Sequence, residues 1–261
     1  MTPTSNHSLQ PRKSGRSSQL ERQKLPEGAA ISEANPLKIV AIGGGTGLAT
    51  VLRGLKEYAH SPSYESGRQL WPPVDITAVV TVTDDGGSSG WLRREFDVLP
   101  PGDIRNCMVA LSEDEALLAK LFQYRFSSGR GLKGHSFGNL FLTALSNVTG
   151  DFPQAVKLSS EVLAIVGHIY PSTKANVGLE AKLSDGSVVA GESKISRSKE
   201  RIERIYLNPK RCKPLKETLD AIRSADLICM GPGSLFTSVV PNLLVSGIPK
   251  AIAESPALKA Y

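Results

Sequence analysis

The sequence predicts an α/β fold, doubly wound around a mainly parallel sheet in three layers, with a small β-rich section late in the chain. Three observations carry that prediction. Apolar runs of strand length alternate with segments of helical periodicity, the order that places helices on both faces of a parallel sheet. Two of those runs, LKIVAIGGGTG and DLICMGPGS, break into glycine, and a third, DITAVVTV, runs into two acids and Gly-Gly-Ser-Ser-Gly. Finally, HIYPSTKANVGLEAKLSDGSVVAGESKIS alternates with period two around Asp185-Gly186, a hairpin signal.

The 261 residues suit one large domain or one domain with a small insertion. Residues 1–36 read as a disordered basic tail, where Arg12, Lys13, Arg16, Arg22 and Lys24 outweigh three glutamates. They hold no apolar core of a secretory signal, and no apolar run reaches membrane-spanning length. The net charge of +6 is mild and dispersed, which points away from nucleic acid and fits an anionic small ligand. Cys107, Cys212 and Cys229 form no CxxC pair, so reduced thiols in a cytoplasmic protein are expected.

A single domain is expected over 37–261. LKIVAIG is a buried strand, and Leu48, Val51, Leu52 and Leu55 recur at helical spacing from Thr46 to about Tyr58. HSPSYESGRQLWPP reads as a polar insertion. DITAVVTV is a second buried strand ending at Asp84. LPPGDIRNCMVALS is a loop entering a helix that Asp103 can cap. DEALLAKLFQYRF is an amphipathic helix and SSGRGLKG a flexible loop. HSFGNLFLTALSNVTG is nearly all apolar, so burial on most sides is expected. DFPQAVKLSSEVLAIV is a helix capped by Asp151, with Pro153 in its first turn. The β-rich section spans about 168–208. KPLKETLDAIRSA is a helix, DLICM a strand, PKAIAES a further helix, and Tyr261 stands at the start of another strand.

In doubly wound sheets, ligands sit beyond the carboxyl ends of the strands. Gly43–Gly47, Asp84–Gly90 and Gly231–Ser234 each follow a predicted strand, so all three are expected on one edge. Gly44, Gly45, Thr46 and Gly47 offer backbone amides at a helix start, where an anion is favoured. The loop is neither GxGxxG nor a P-loop, since Leu48 replaces a glycine and no lysine follows Gly47. It is an anion loop of another kind or a tight turn. Gly231, Gly233 and Ser234 repeat the arrangement after a later strand.

Asp84 and Asp85 can accept ribose hydroxyls, hold Mg²⁺ beside ligand phosphates, or divide into one turn cap and one solvated acid. Arg105 can grip a phosphate or tie down one of the acids, with Asn106 beside it. His135 and Asn139, four apart, would share a helical face, as ligand contacts or as structure. The charges of GESKISRSKERIERIY read as a solvated face.

In order, IGGGTGL, TVTDDGGSSG, PPGDIRN, ALS, GHSFGNL, TGDF, GES, LNP and AIRSADLICMGPGSLFTSVVPNLL resemble the blocks of the bacterial gluconeogenesis factors. These are UDP-sugar-binding proteins of the 2-phospho-L-lactate transferase-like superfamily, and the resemblance runs from about Leu37 to Tyr261. It implies a Rossmann-like core, UDP-N-acetylglucosamine as ligand, and a cytoplasmic part in cell shape and envelope (peptidoglycan) precursor supply during gluconeogenic growth. No reaction is established for that branch. The transferase branch implies the alternative, an Mg²⁺-dependent enzyme using a guanylated donor. Gly44–Gly47, Asp84, Asp85, Asn106, His135, Asn139, Gly231, Gly233 and Ser234 match family blocks and are the ligand-contact expectation. The tail and the insertion at about 60–73 depart from the common core. Relative to the family, the chain is expected to lack a further C-terminal strand and helices.

With no acid–base–nucleophile triad legible, a non-catalytic regulator that binds UDP-sugar is expected ahead of an enzyme. Its expected protein partners are a regulated enzyme or a second copy of the chain, with no nucleic acid and no membrane span.

Overall fold

A computed structural model describes residues 35–59, 64–65, 68–69, 72–113 and 117–261. Its spine is strand β1, Leu37–Gly43, whose last five residues are buried. β1 is flanked by β4, Val74–Val80, and β9, Leu227–Met230. The edges are β5, His168–Pro171, beside β4, and β10, Leu258–Ala260, beside β9. Every neighbouring pair in this five-stranded sheet is parallel. The strand order reverses direction between β1 and β9, which makes that junction the topological switch point of the sheet.

Near-continuous apolar runs make these strands because the central ones are covered on both faces. Helix α1, Gly45–Lys56, packs on α3, Gly102–Leu111, across β1 and β4. Helix α8, Lys216–Ser224, lies over β1 and β5 and is backed by α10, Ile248–Glu254. Ile42, Leu48, Leu52, Ile76, Ile104, Met108 and Leu142 are fully buried in the resulting core.

The predicted hairpin forms. β6, Gly178–Leu183, pairs antiparallel with β7, Val188–Ala190, and β8, Ile202–Asn208, completes a three-stranded sheet. In the turn, Asp185 Oδ1 accepts from the Ser187 N–H at 2.9 Å and its hydroxyl at 2.7 Å. The four residues from His168 do not belong to this sheet; they are parallel edge strand β5, aligned with Thr77–Val80. A short helix α7, Glu192–Ile195, follows β7.

Several expectations need correction. β4 stops at Val80, and Thr81–Thr83 continue as buried extended chain to Asp84. Gly87 to Phe96 is a helix, α2, where the glycine-serine run had suggested only loop. α3 starts behind Pro101 with no side-chain cap, and Asp103 lies inside its first turn. The helix α5, Phe137–Thr149, buries a narrow and mostly polar stripe, Gly138, Asn139, Leu142, Thr143 and Ser146, while Val148 stays exposed. Its apolar composition misled because the stripe buried among the neighbouring helices, α2 and α3 among them, carries the hydrogen-bonding groups. α6, Phe152–Val162, has Pro153 in its first turn as expected, but Asp151 makes no side-chain cap bond. The amphipathic segment after Glu113 is described as helix only at α4, Leu118–Gln123. Of the insertion near 60–73, the described parts are Pro72–Pro73 and a short antiparallel pairing of β2, Tyr64–Glu65, with β3, Arg68–Gln69; its other residues, and residues 1–34 of the tail, lie outside the described residues.

Candidate functional site

The chain from Asp84 to Ser89 builds the centre of the site. Asp84 Oδ1 accepts the Gly86 N–H at 2.9 Å, a local turn that redirects the chain into α2. Gly90 is required because Asp85's carbonyl occupies the space a side chain there would need. The two adjacent acids then part company. Asp84 turns toward α3, where a Cβ on Gly102 would stand 2.7 Å from its Oδ2. Asp85 turns toward α7, accepting the Ser193 N–H at 2.8 Å and closing on Gly191. Asp84 and Asp85 are therefore not a pair facing one ligand.

A cleft of about 270 Å³ opens between the starts of α2 and α3, and Asp84, Asp103, Arg105, Asn106, Arg125 and Asn139 line it with Gly86–Ser89. At its acidic end, Asp103 takes the N–H of Gly45 and stitches the first glycine loop to α3. Gly44 permits this approach, since a Cβ there would meet Thr81 at 2.5 Å and Asp103 Oδ2 at 2.8 Å. Burial pushes the Asp103 carboxyl up to about 7, helped by Asp84 and Glu192 and opposed by the Gly45 N–H and Arg105. Glu192 is also raised, first by burial and then by Asp84 and Asp85, against the hydroxyl of Thr237 that donates to it.

The basic end is built by Arg105 and Arg125. Arg105 donates to Ser136 Oγ at 2.6 Å and to Asn106 Oδ1 at 2.7 Å, while its buried Nε has no partner among the described residues. Its pKa is lowered by burial and by neighbouring Arg125, and Asp103 and Asp84 act the other way. Arg125 is anchored by donating to the Gly134 carbonyl. Two guanidiniums held this close repel each other unless an anion lies between them.

His135 and Asn139 act on the cleft wall through serines. His135 precedes α5, so the helical spacing expected between the two does not apply; Ser136 is the cap, and its Oγ accepts the Asn139 N–H at 3.2 Å. His135 Nδ1 and Ser88 Oγ are 3.0 Å apart, with the imidazole edge-on to Trp91 at 4.7 Å. Asn139 Nδ2 donates to Ser89 Oγ at 3.4 Å, and its buried Oδ1 has no partner among the described residues. A buried amide oxygen with no partner carries a desolvation cost that a ligand hydroxyl or water can relieve.

The glycine loops reach the same rim but do not line the cleft. Gly45 adopts φ +63°, and Thr46 is exposed. Gly47 is packed so tightly on the Pro232 carbonyl that a Cβ would collide with it, which makes this glycine a packing device. Gly231 is buried at φ +93°, and Gly233 and Ser234 are exposed beside it. Ser238, in the π-helical turn Leu235–Val239, sits near Gly45, and Thr237 of that turn reaches Glu192. The three loops thus converge at the carboxyl edge, as expected, although only the acidic one borders the cleft. Arg125, Ser136 and Glu192 were missed by sequence reasoning. Arg125 stands just before the glycine-rich loop, and GES was already one of the recognised blocks, so the signals existed.

These features define a Rossmann-like α/β protein whose strand ends carry a polar cleft with guanidinium and carboxylate walls. The chain belongs to the family described as 2-phospho-L-lactate transferase CofD, which it matches over residues 39–261. It is 51% identical over 223 residues to the gluconeogenesis factor of Halalkalibacterium halodurans, covering 85% of this chain and 65% of that one. With the gluconeogenesis factor of Bacillus subtilis it shares 52% identity over 224 residues, 86% of this chain and 66% of that one. A crystal structure of a Bacillus halodurans protein superposes with TM-score 0.79 at 50% identity, covering 86% of this chain and 68% of the other. The chain therefore spans about two thirds of the length of these relatives. Among the described residues, no single helix is long and apolar enough to cross a membrane.

Proposed function

We propose that this chain binds a UDP-sugar at the strand-end rim and acts as a non-catalytic regulator, with the diphosphate and sugar seated in the cleft. The observation that carries the reading is the opposition of Arg105 and Arg125 to Asp84 and Asp103, with the unpartnered Asn139 oxygen between α2 and α5. Phosphoryl oxygens match the guanidiniums, and sugar hydroxyls match Asp84 and Asn139. UDP-N-acetylglucosamine is the ligand the family resemblance suggests, and the name shared by the relatives supports a role in gluconeogenic growth. Cell shape and envelope precursor supply, a cytoplasmic location, and control of an enzyme partner or self-association belong to the same proposal.

The family description, a 2-phospho-L-lactate transferase, favours a second reading, the transfer that the resemblance implies, Mg²⁺-dependent and from a guanylated donor. Asp84 with Asp85 does not fit such an ion, because the two carboxylates point apart. Asp84 with Asp103 fits better, since both line the cleft and Mg²⁺ needs only one or two carboxylates beside ligand phosphates. In that reading the ion would neutralise phosphate charge, Arg105 and Arg125 would orient the anion, and Asp103 would release a proton before binding the metal.

Isothermal titration with UDP-N-acetylglucosamine, GDP and GTP, each with and without Mg²⁺, separates the readings. Metal-independent UDP-sugar binding with no product supports the regulator. Guanine nucleotide binding that requires Mg²⁺ supports the transferase, and binding of none of the three defeats both.

A further inference from the structure

The cleft is too small to enclose a whole nucleotide sugar. At about 270 Å³ it falls just below the ~300–1,000 Å³ usual for sites that enclose a ligand of that size. A nucleotide sugar whose diphosphate lies there extends beyond the cleft, and a neighbouring part of the rim is available to its base. Ligands in such sheets sit at the switch point, here the junction of β1 and β9. The backbones of the two glycine loops close that junction against each other, Gly47 on Pro232. What stands next to it is the π-helical turn that opens with Leu235 and Phe236, and π-turns concentrate at functional sites.

Both residues are exposed, Leu235 at 43% and Phe236 at 39%, directly after the exposed Pro232, Gly233 and Ser234 of the second glycine loop. The turn is tied to the site from two sides. Thr237 donates to Glu192, which stands beside Asp84, and Ser238 faces Gly45, whose N–H is held by Asp103. An apolar pair is thus fixed within a few residues of the acidic end of the cleft, with no packing role in the core.

Resting on the nucleotide reading above, we propose that Leu235 and Phe236 form the shelf on which the heterocyclic base of the bound nucleotide stacks. The cleft takes the diphosphate and the shelf takes the base, so affinity for a nucleoside diphosphate is divided between two patches. Stacking on a phenyl face is tolerant of base identity. The shelf therefore rewards the presence of a base, and discrimination among bases falls to other groups.

The test compares UDP with pyrophosphate, which carries the anion without the base, by titration calorimetry on the whole chain. Phe236→Ala is expected to weaken UDP by about tenfold, the order of one base–aromatic stack, and to leave pyrophosphate within about twofold. Phe236→Tyr keeps the ring and should keep UDP affinity. Circular dichroism and thermal unfolding of each variant check that it remains folded. Equal UDP affinity in wild type and Phe236→Ala overturns the shelf, as does parallel loss of UDP and pyrophosphate. Failure of the wild-type chain to bind any nucleotide overturns the nucleotide reading first and the shelf with it.

Discussion

Asp84 and Asp85 differ in what their loss should do. Asp84 borders the cleft, so Asp84→Asn should reduce UDP-sugar affinity by about 1.5–3 kcal/mol, the scale of one charged hydrogen bond, with little change in Tm. Asp85 instead fastens α7 through Ser193, so Asp85→Asn should lower Tm and affect binding only indirectly; calorimetric scanning and titration on both variants distinguish them. Asp103 gives a pH signature. Its folded-state pKa is raised from 3.8 to about 7, so between those values the native state keeps a proton that the unfolded chain has released. Stability should fall as pH rises through that window and level off above it. Asp103→Asn still offers an oxygen to the Gly45 N–H but carries no charge, so its denaturation midpoint should vary less between pH 4 and pH 8. Adjacent carboxylates read identically in a sequence. Which one faces inward depends on distant segments, α3 on one side and α7 on the other, so the residue-level assignment was not legible there.

Helix α1 supports two opposite forecasts within one element. A Cβ at Gly47 collides with the Pro232 carbonyl, so Gly47→Ala should destabilise by the ~1–3 kcal/mol typical of overpacking. At Gly54, seven residues further on and with open space around it, Gly54→Ala should stabilise by about 0.5–1 kcal/mol through helix entropy alone. Thermal unfolding of both, side by side, checks the sign. At this scale glycine after a strand was a dependable marker, because close approach of backbones at the sheet edge excludes side chains. The start of α2 was not, since Gly87-Ser88-Ser89-Gly90 has poor helix propensity and is held by His135 and Asn139, with Gly90 pressed against the Asp85 carbonyl. α5 misled for a related reason: its polar residues, few in number, are the ones turned inward.

Most of the parallel sheet was legible as alternating apolar strands and helices, but its edge strand β5 was read into the β-rich section, and the switch point became visible only from the observed strand order. Hydrogen exchange should reflect that architecture, with amides of β1 and β4 exchanging only on global unfolding. Those of β10, paired on one side and exposed at all three residues, should exchange far sooner. Protected β10 amides would show that another strand or helix covers that edge. The small antiparallel sheet was also visible from its alternation, but its bearing on the cleft was not, because it runs through the turn after β7, where the Ser193 N–H reaches a carboxylate 108 positions earlier and Glu192 stands beside Asp84. That tether has an evolutionary corollary. The parallel core cannot be transplanted without its antiparallel appendage, because the turn after Asp84 would lose its outer brace. Lineages that remodel the appendage must therefore retune the mouth of the pocket as well.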